Sequence, residues 1–135
     1  MPSLPDHVRA FLDVPRFATI ATTDDDGAPR QAVIWFLLDG ETIVINSLHG
    51  RRWPANLCRD GRIAIAVTDA TDHSWVGLTG TVDVVDDQAQ AQADIAAMAR
   101  RYEEPAEAEA VIANRFSKQR RVSFRVTVGA IHDHL

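Results

Sequence analysis

The chain has 135 residues, 46% of them apolar and 24% charged, the balance of one globular domain rather than a disordered chain. A formal net charge of −5 disfavours broad attraction to nucleic acid or anionic lipid, without excluding a local basic pocket. The single cysteine, Cys58, excludes an intrachain disulfide, and no apolar run approaches the roughly 20 residues that cross a bilayer. Met1 to Asp13 lacks a basic segment followed by an apolar one. No signal peptide is readable there, and the expected location is cytoplasmic.

Ser3-Leu4-Pro5-Asp6 predicts a helix start with a capping serine, an early proline and an acid in the first turn. Val8, Phe11 and Leu12 then share one helical face. Phe17 to Thr22 predicts a strand that ends in the turn formers Thr23 to Gly27. A long strand follows over Pro29 to Leu38. Asp39-Gly40 then predicts a type I′ hairpin into Thr42 to Ile45, because such a turn needs positive φ at both central residues. Phe17 to Asn46 therefore reads as a three-stranded antiparallel meander.

His49 to Asp60 breaks this pattern and suits a short helix, with Trp53 and Leu57 on one face. Strands follow at Ile63 to Thr68 and Trp75 to Val85, where Gly77 and Gly80 predict a bulge, a bend or a close backbone approach. Asp86-Asp87 caps a helix over Gln88 to Tyr102 with a stripe of Ala91, Ile95, Met98 and Tyr102. A further helix after Pro105 presents Ala108, Val111, Ile112 and Phe116. Val122, Phe124, Val126 and Val128 alternate with polar residues as a half-buried strand. Six mostly antiparallel strands suit a small barrel without exposed edges; an open α+β sheet has the same element order.

The segment from Asn46 to Leu57 carries the most chemistry. A strand ends in Asn46-Ser47, Gly50 loosens the turn, and Arg51 and Arg52 arrive where a helix begins. A helix N-terminus presents unpaired N–H groups, and arginine adds a fork matched to phosphate oxygens. The same two arginines also suit a solvated surface or pairing with Asp24 to Asp26. A chain this short cannot fill its own core and also enclose a large ring, so a groove shared between two copies is the expected ligand site. Trp35, Phe36 and Trp75 are candidates for ring contact or for ordinary packing.

Ala28 to Phe36 followed by Asp39-Gly40, then Asn46-Ser47, Gly50 to Leu57 and Arg59-Asp60-Gly61-Arg62, resembles the pyridoxamine 5′-phosphate oxidase-like superfamily. Within it, the chain is most similar to the branch that uses deazaflavin (F420). Gly80 in Leu78-Thr79-Gly80-Thr81-Val82 resembles a further strand motif of that branch, and the pattern spans Phe17 to Val85. The resemblance implies a six-stranded antiparallel FMN-binding split β-barrel and a homodimer with cofactor sites at the interface. It also implies that Gln31 and Val33 flank the cofactor ring and that Ser47, Arg51, Arg52 and Asn56 lie near its phosphate end. Two departures stand out: Trp53 occupies a position where many members carry lysine, and Gly61 replaces a proline.

The function expected is an oxidoreductase that uses F420, or alternatively FMN, to pass a hydride to a small electron-poor substrate. The protein itself would supply position, electrostatics and water exclusion. A non-catalytic carrier of flavin, F420 or haem needs the same pocket, and a protein–protein module with an incidental barrel predicts no cofactor affinity. The cofactor-binding set expected is Gln31, Val33, Ser47, Arg51, Arg52, Asn56 and Trp75, with no catalytic acid and no metal. His132-Asp133-His134 offers too few ligands for a structural zinc site, His49 and His73 suit solvent, and Cys58 suits an inert role.

Overall fold

The computed structural model describes residues 3–135. Helix α1 (Asp6–Leu12) buries Val8 and Leu12. It starts one residue after an extended Pro5 (φ −56°, ψ 150°) with no side-chain cap, so the expected capping role of Ser3 is not realised. Leu4 instead turns into the core and donates its N–H to the Glu41 carboxylate at 2.6 Å.

Strand β1 (Ala18–Thr23) buries every second residue, as a half-covered strand does, and pairs antiparallel with β2 (Pro29–Ile34). The turn between them closes with Asp24 N–H donating to Ala28 O and with Gly27 at φ 88°. The long strand expected to reach Leu38 is broken at Trp35-Phe36 and resumes as β3 (Leu37–Asp39), which gives seven strands among the described residues instead of six. β2 pairs only with β1, and β3 pairs only with β4 (Thr42–Leu48), so the expected meander is interrupted at the bend. The Tyr102 hydroxyl explains how the bend is tolerated. It accepts the Phe36 N–H at 3.2 Å and donates to Arg16 O at 2.7 Å, replacing the missing ladder partner.

The β3–β4 hairpin is offset by one residue from the expected one. Asp39 pairs with Thr42, leaving Gly40 and Glu41 in the loop. Gly40 has φ 61°, and Glu41 is not in the positive region, the pattern of a type II′ turn with glycine first.

After helix α2 (Arg52–Arg59), strands β5 (Arg62–Thr68), β6 (Trp75–Val85) and β7 (Arg121–His134) complete an all-antiparallel sheet in the order β2-β1-β5-β6-β7-β4-β3. The two outermost strands are consecutive in the chain. The sheet must therefore curl until its edges approach, and the result is a half-barrel consistent with a split barrel. β7 runs six residues past Val128 because it pairs along the whole of β6. Gly129 is the extra residue in that ladder. At Gly80 the backbone of β7 comes so close that a Cβ would lie 2.1 Å from Thr127 O, so the close approach expected at this glycine is present.

Helix α3 (Gln88–Tyr102) is capped as expected: the Asp87 carboxylate accepts from the N–H groups of Ala89 and Gln90. Helix α4 (Pro105–Asn114) ends before Phe116, which sits in a 3-10 turn (Phe116–Lys118) rather than on the helix. One apolar cluster fills the curl of the sheet around Ile20, Phe36, Ile45 and Phe124. A second lies between β4 and the two helices around Val44, Ile95, Met98 and Phe116. Among the described residues no helix is long and apolar enough to cross a membrane.

Candidate functional site

The bend at Trp35-Phe36 leaves a slot in the wall. β3 covers β4 only from Thr42 to Val44, so Ile45 to Leu48 have β7 on one side and, among the described residues, no strand on the other. Across that gap lie Val33, Ile34 and Trp35 at the end of β2, and a cavity of about 250 Å³ occupies the space between. Aromatic rings form part of its lining: Trp35 meets Phe116 edge-on at 6.4 Å and stacks on Tyr102 behind it at 5.2 Å, and Tyr102 stacks in turn on Phe17 at 6.1 Å.

Three guanidinium groups converge on this cavity. Arg51 arrives from the turn after β4, where Gly50 takes φ 96° and lets the chain reverse into α2. Arg115 follows α4, and Arg121 opens β7, which places it opposite Leu48 in the ladder. Arg51 and Arg115 are exposed, whereas Arg121 is 6% exposed. Among the described residues none of the three has a carboxylate within ion-pair distance.

Arg121 is instead held by neutral groups. Its Nε donates to Asn46 Oδ1 at 2.8 Å, one terminal nitrogen donates to Gln119 Oε1, and the guanidinium carbon lies 4.9 Å from the Phe116 ring centre. Asn46 gives its amide hydrogens to Ala91 O and Ser123 Oγ, both at 2.9 Å, and Ser123 donates to Asp94 Oδ2 at 2.7 Å. The acid in this network thus stands two side chains away. Burial first, then the charges of Arg51 and Arg115, pull the Arg121 pKa down to about 10, so it stays protonated at neutral pH. Ser47, 1% exposed, completes the lining, and its hydroxyl oxygen has no hydrogen-bond partner among the described residues.

Arg51 also borders a second hollow, a crevice of about 370 Å³ lined by Arg52, Arg59, Asn56, Asp24 and Asp25. The side chains here are largely committed. Asp24 accepts from Arg30 Nε at 3.0 Å and from Asn56 Nδ2 at 2.8 Å, and Arg52 lies 3.6 Å from it. Arg30 and then Asn56 hold the Asp24 carboxyl below its ordinary value. Asn56 is buried and also donates to Thr22 Oγ1 at 3.1 Å, while Arg59 donates to Thr23 O.

The residues singled out from the sequence fall into three places. Ser47, Arg51 and Val33 line the slot; Arg52 and Asn56 join Arg51 at the crevice; Gln31 and Trp75 lie in a separate hollow on the outer face of the sheet, with Thr19, Ala64 and Gly77. Trp75 stacks there on His134 at 4.0 Å. Arg115 and Arg121 were not foreseen. The basic stretch Arg115, Lys118, Arg120, Arg121 between a helix and an alternating strand was the available signal. Among the described residues no group of three histidine, cysteine or acidic side chains could hold a metal ion.

No curated protein matches the chain in sequence. Among solved structures, an F420 reductase is 24% identical and superposes with a TM-score of 0.75, over 96% of this chain and 98% of that one. A conserved hypothetical protein from Mycobacterium tuberculosis is 20% identical with a TM-score of 0.79, over 99% and 87%. HutZ, the haem storage protein from Vibrio cholerae, is 17% identical with a TM-score of 0.73, over 98% and 95%. These likenesses carry the fold alone. The family model for pyridoxamine 5′-phosphate oxidase matches residues 4–135, nearly the whole chain, and with the curled antiparallel sheet this makes the chain a member of the pyridoxamine 5′-phosphate oxidase family.

Proposed function

We propose that the protein is an oxidoreductase that binds F420, with FMN as the alternative, and reduces a small electron-poor substrate in the slot. The observation that carries this reading is the position of Arg51. It has no carboxylate partner among the described residues, and it borders both the aromatic slot and the basic crevice. A molecule with a planar ring and an anionic tail could therefore set its ring toward Val33 and Trp35 while its phosphate or acidic tail meets Arg51, with Arg52 and Arg59 behind it. The residues present fit such a group because an acidic chain has gathered cations there that its own carboxylates only partly compensate. When bound, the cofactor supplies hydride chemistry. The protein binds the tail, orients the ring and shields it from water.

The ring also needs a cover. Val33 and Phe17, 69% and 61% exposed, lie at the slot and would be closed over by a second copy, so the functional unit is read as a homodimer. Side-by-side fluorescence titrations of the purified protein with F420 and FMN test the reading. Micromolar or tighter binding of one of them is expected, with a dimeric mass by light scattering; binding of neither would defeat it. Turnover of the loaded protein with quinone-like or tetrapyrrole acceptors separates an enzyme from a carrier.

A further inference from the structure

We propose that Arg121 is a catalytic residue of the slot. Its free guanidinium N–H receives the carbonyl oxygen of an α,β-unsaturated carbonyl acceptor, the atom on which negative charge develops as the acceptor takes a hydride. The inference gives the oxidoreductase reading above an acceptor class and a charge-stabilising group, and it rests on that reading.

Arg121 is held in one place with its charge unspent. It is 6% exposed; its Nε donates to Asn46 Oδ1 at 2.8 Å, one terminal nitrogen donates to Gln119 Oε1, and the Phe116 ring lies against the guanidinium. All three partners are neutral. Helix α3 fixes the segment that carries them. Gln88 bonds the backbone N–H and C=O of Arg121 at 2.9 and 2.6 Å, and Gln92 donates to Phe116 O and Gln119 O. The other terminal nitrogen of Arg121 has no acceptor among the described residues. It is also not enclosed, unlike the unpartnered Nε atoms of Arg9 and Arg101, so it keeps open surface on a side chain that lines the cavity.

Two more cations stand close by. Leu48 faces Arg121 in the ladder and the His49 N–H donates to Arg120 O at 3.0 Å, so the turn that carries Arg51 abuts the start of β7. Arg115 heads the 3-10 turn that leads to Gln119. The neighbouring walls, Trp35, Phe116, Ile95 and Met98, are apolar.

These features make opposite demands on a ligand. Apolar walls favour a neutral guest, whereas a desolvated cation without a carboxylate favours a negative one. A guest that enters neutral and turns anionic as it takes a hydride meets both, and the stabilisation then falls on the transition state. The volume of about 250 Å³ suits a one-ring molecule. In the step, a C–H bond forms at the β-carbon, the C=C pair shifts to the bond beside the carbonyl, and the carbonyl pair moves onto oxygen as an enolate that accepts from Arg121. The two electrons come from the reduced cofactor, which is left oxidised. No carboxyl, imidazole or phenol lines the cavity among the described residues, so water supplies the proton to the α-carbon. Arg121 itself stays protonated, since its pKa is about 10.

Absorbance titration of the full-length protein with 4-nitrophenol, alone and saturated with F420 or FMN, tests the proposal without turnover, because the coloured phenolate mimics the enolate. The bound phenol is expected to ionise about one pH unit or more below the free phenol, a tenfold preference for the anion. Arg121→Lys is expected to retain most of that shift. Arg121→Met, checked for a native circular dichroism spectrum, is expected to lose it, and its kcat with cyclohex-2-enone should fall about 100-fold with KM little changed. Arg115→Ala, at an exposed position, is expected to shrink the shift without disturbing the fold, which keeps the test open if Arg121→Met does not fold. No shift in the parent protein, a full shift in folded Arg121→Met, or an unchanged shift in Arg115→Ala would each overturn the proposal. Cofactor binding without the phenolate preference defeats the proposal alone, whereas the phenolate preference without affinity for either cofactor defeats the oxidoreductase reading.

Discussion

Arg51 and Arg52 are adjacent in sequence, yet the structure predicts unequal roles for them. Arg51 has no carboxylate partner to give up among the described residues, so its full charge is available to an anionic tail. A hydrogen bond to a charged group contributes about 1.5 to 3 kcal/mol, so Arg51→Ala is expected to raise the cofactor dissociation constant about 10- to 150-fold. Arg52 is 62% exposed and sits 3.6 Å from Asp24, a carboxylate already held by Arg30 and Asn56. Exposed charges of this kind contribute about 0 to 1 kcal/mol, so Arg52→Ala should cost less than about fivefold. Fluorescence titration of each single variant at fixed ionic strength reads the two numbers directly. Equal losses, or a greater loss in Arg52→Ala, would refute the assignment of the anion to the shared rim.

Gly80→Ala should destabilise the fold by about 3 kcal/mol, because the new Cβ would meet the backbone of β7 at 2.1 Å and no flexible side chain can give way. For a domain of this size that is a fall in Tm of about 10 °C, whereas Gly129→Ala, with its nearest atom at 3.5 Å, should stay close to the parent. Asn56→Ala should cost about 2 kcal/mol in denaturant unfolding by releasing Asp24 and Thr22, with little direct change in cofactor affinity. Acid should unfold the protein through a defined pair of carboxylates. The Arg62 side chain, helped by the Arg62 N–H, holds Asp60 at about 2, and the Thr71 hydroxyl and N–H together with Arg16 hold Asp69 below the usual carboxylate range. Both values are depressed in the folded state, so their stabilisation is complete above the unfolded value near 4 and is lost as pH falls toward about 2. Asp69→Asn should flatten that decline in denaturant titrations; an unchanged slope would count against it.

Much of the fold was legible because strand and helix periods state themselves locally. The alternation in Ala18–Thr23, the capped stripe of α3 and the punctuation by Gly27 and Gly40 need only a few neighbouring residues to interpret. The break at Trp35-Phe36 was not legible, because the residues there are good strand formers and the partner that stabilises the bend, Tyr102, is 66 residues away. The hairpin is offset by one residue where distant partners also act: Asp39, opposite Thr42, accepts from Arg125, and Glu41 in the loop accepts from the Leu4 N–H and from Arg9. In the site, Ser47 and Arg51 were readable from the strand-turn-helix junction. Arg115 and Arg121 were not, since Arg121 reaches the hollow through the pairing of β7 with β4 and Arg115 through the turn that follows α4. Asn56, expected near the phosphate end, lines the crevice beside Arg52 and gives its amide to Asp24 and Thr22.

The wall of this half-barrel is shut by the covalent chain at the bend, not by a ladder, and one phenolic oxygen from behind holds the fold line. The aperture of the slot can therefore be tuned from α3 without touching a single rung of the sheet. A shift of that helix by a fraction of a turn would swing Trp35 and widen or pinch the opening while every strand keeps its register. A scaffold hinged in this way can admit bulkier or slimmer guests through changes in residues that never contact them.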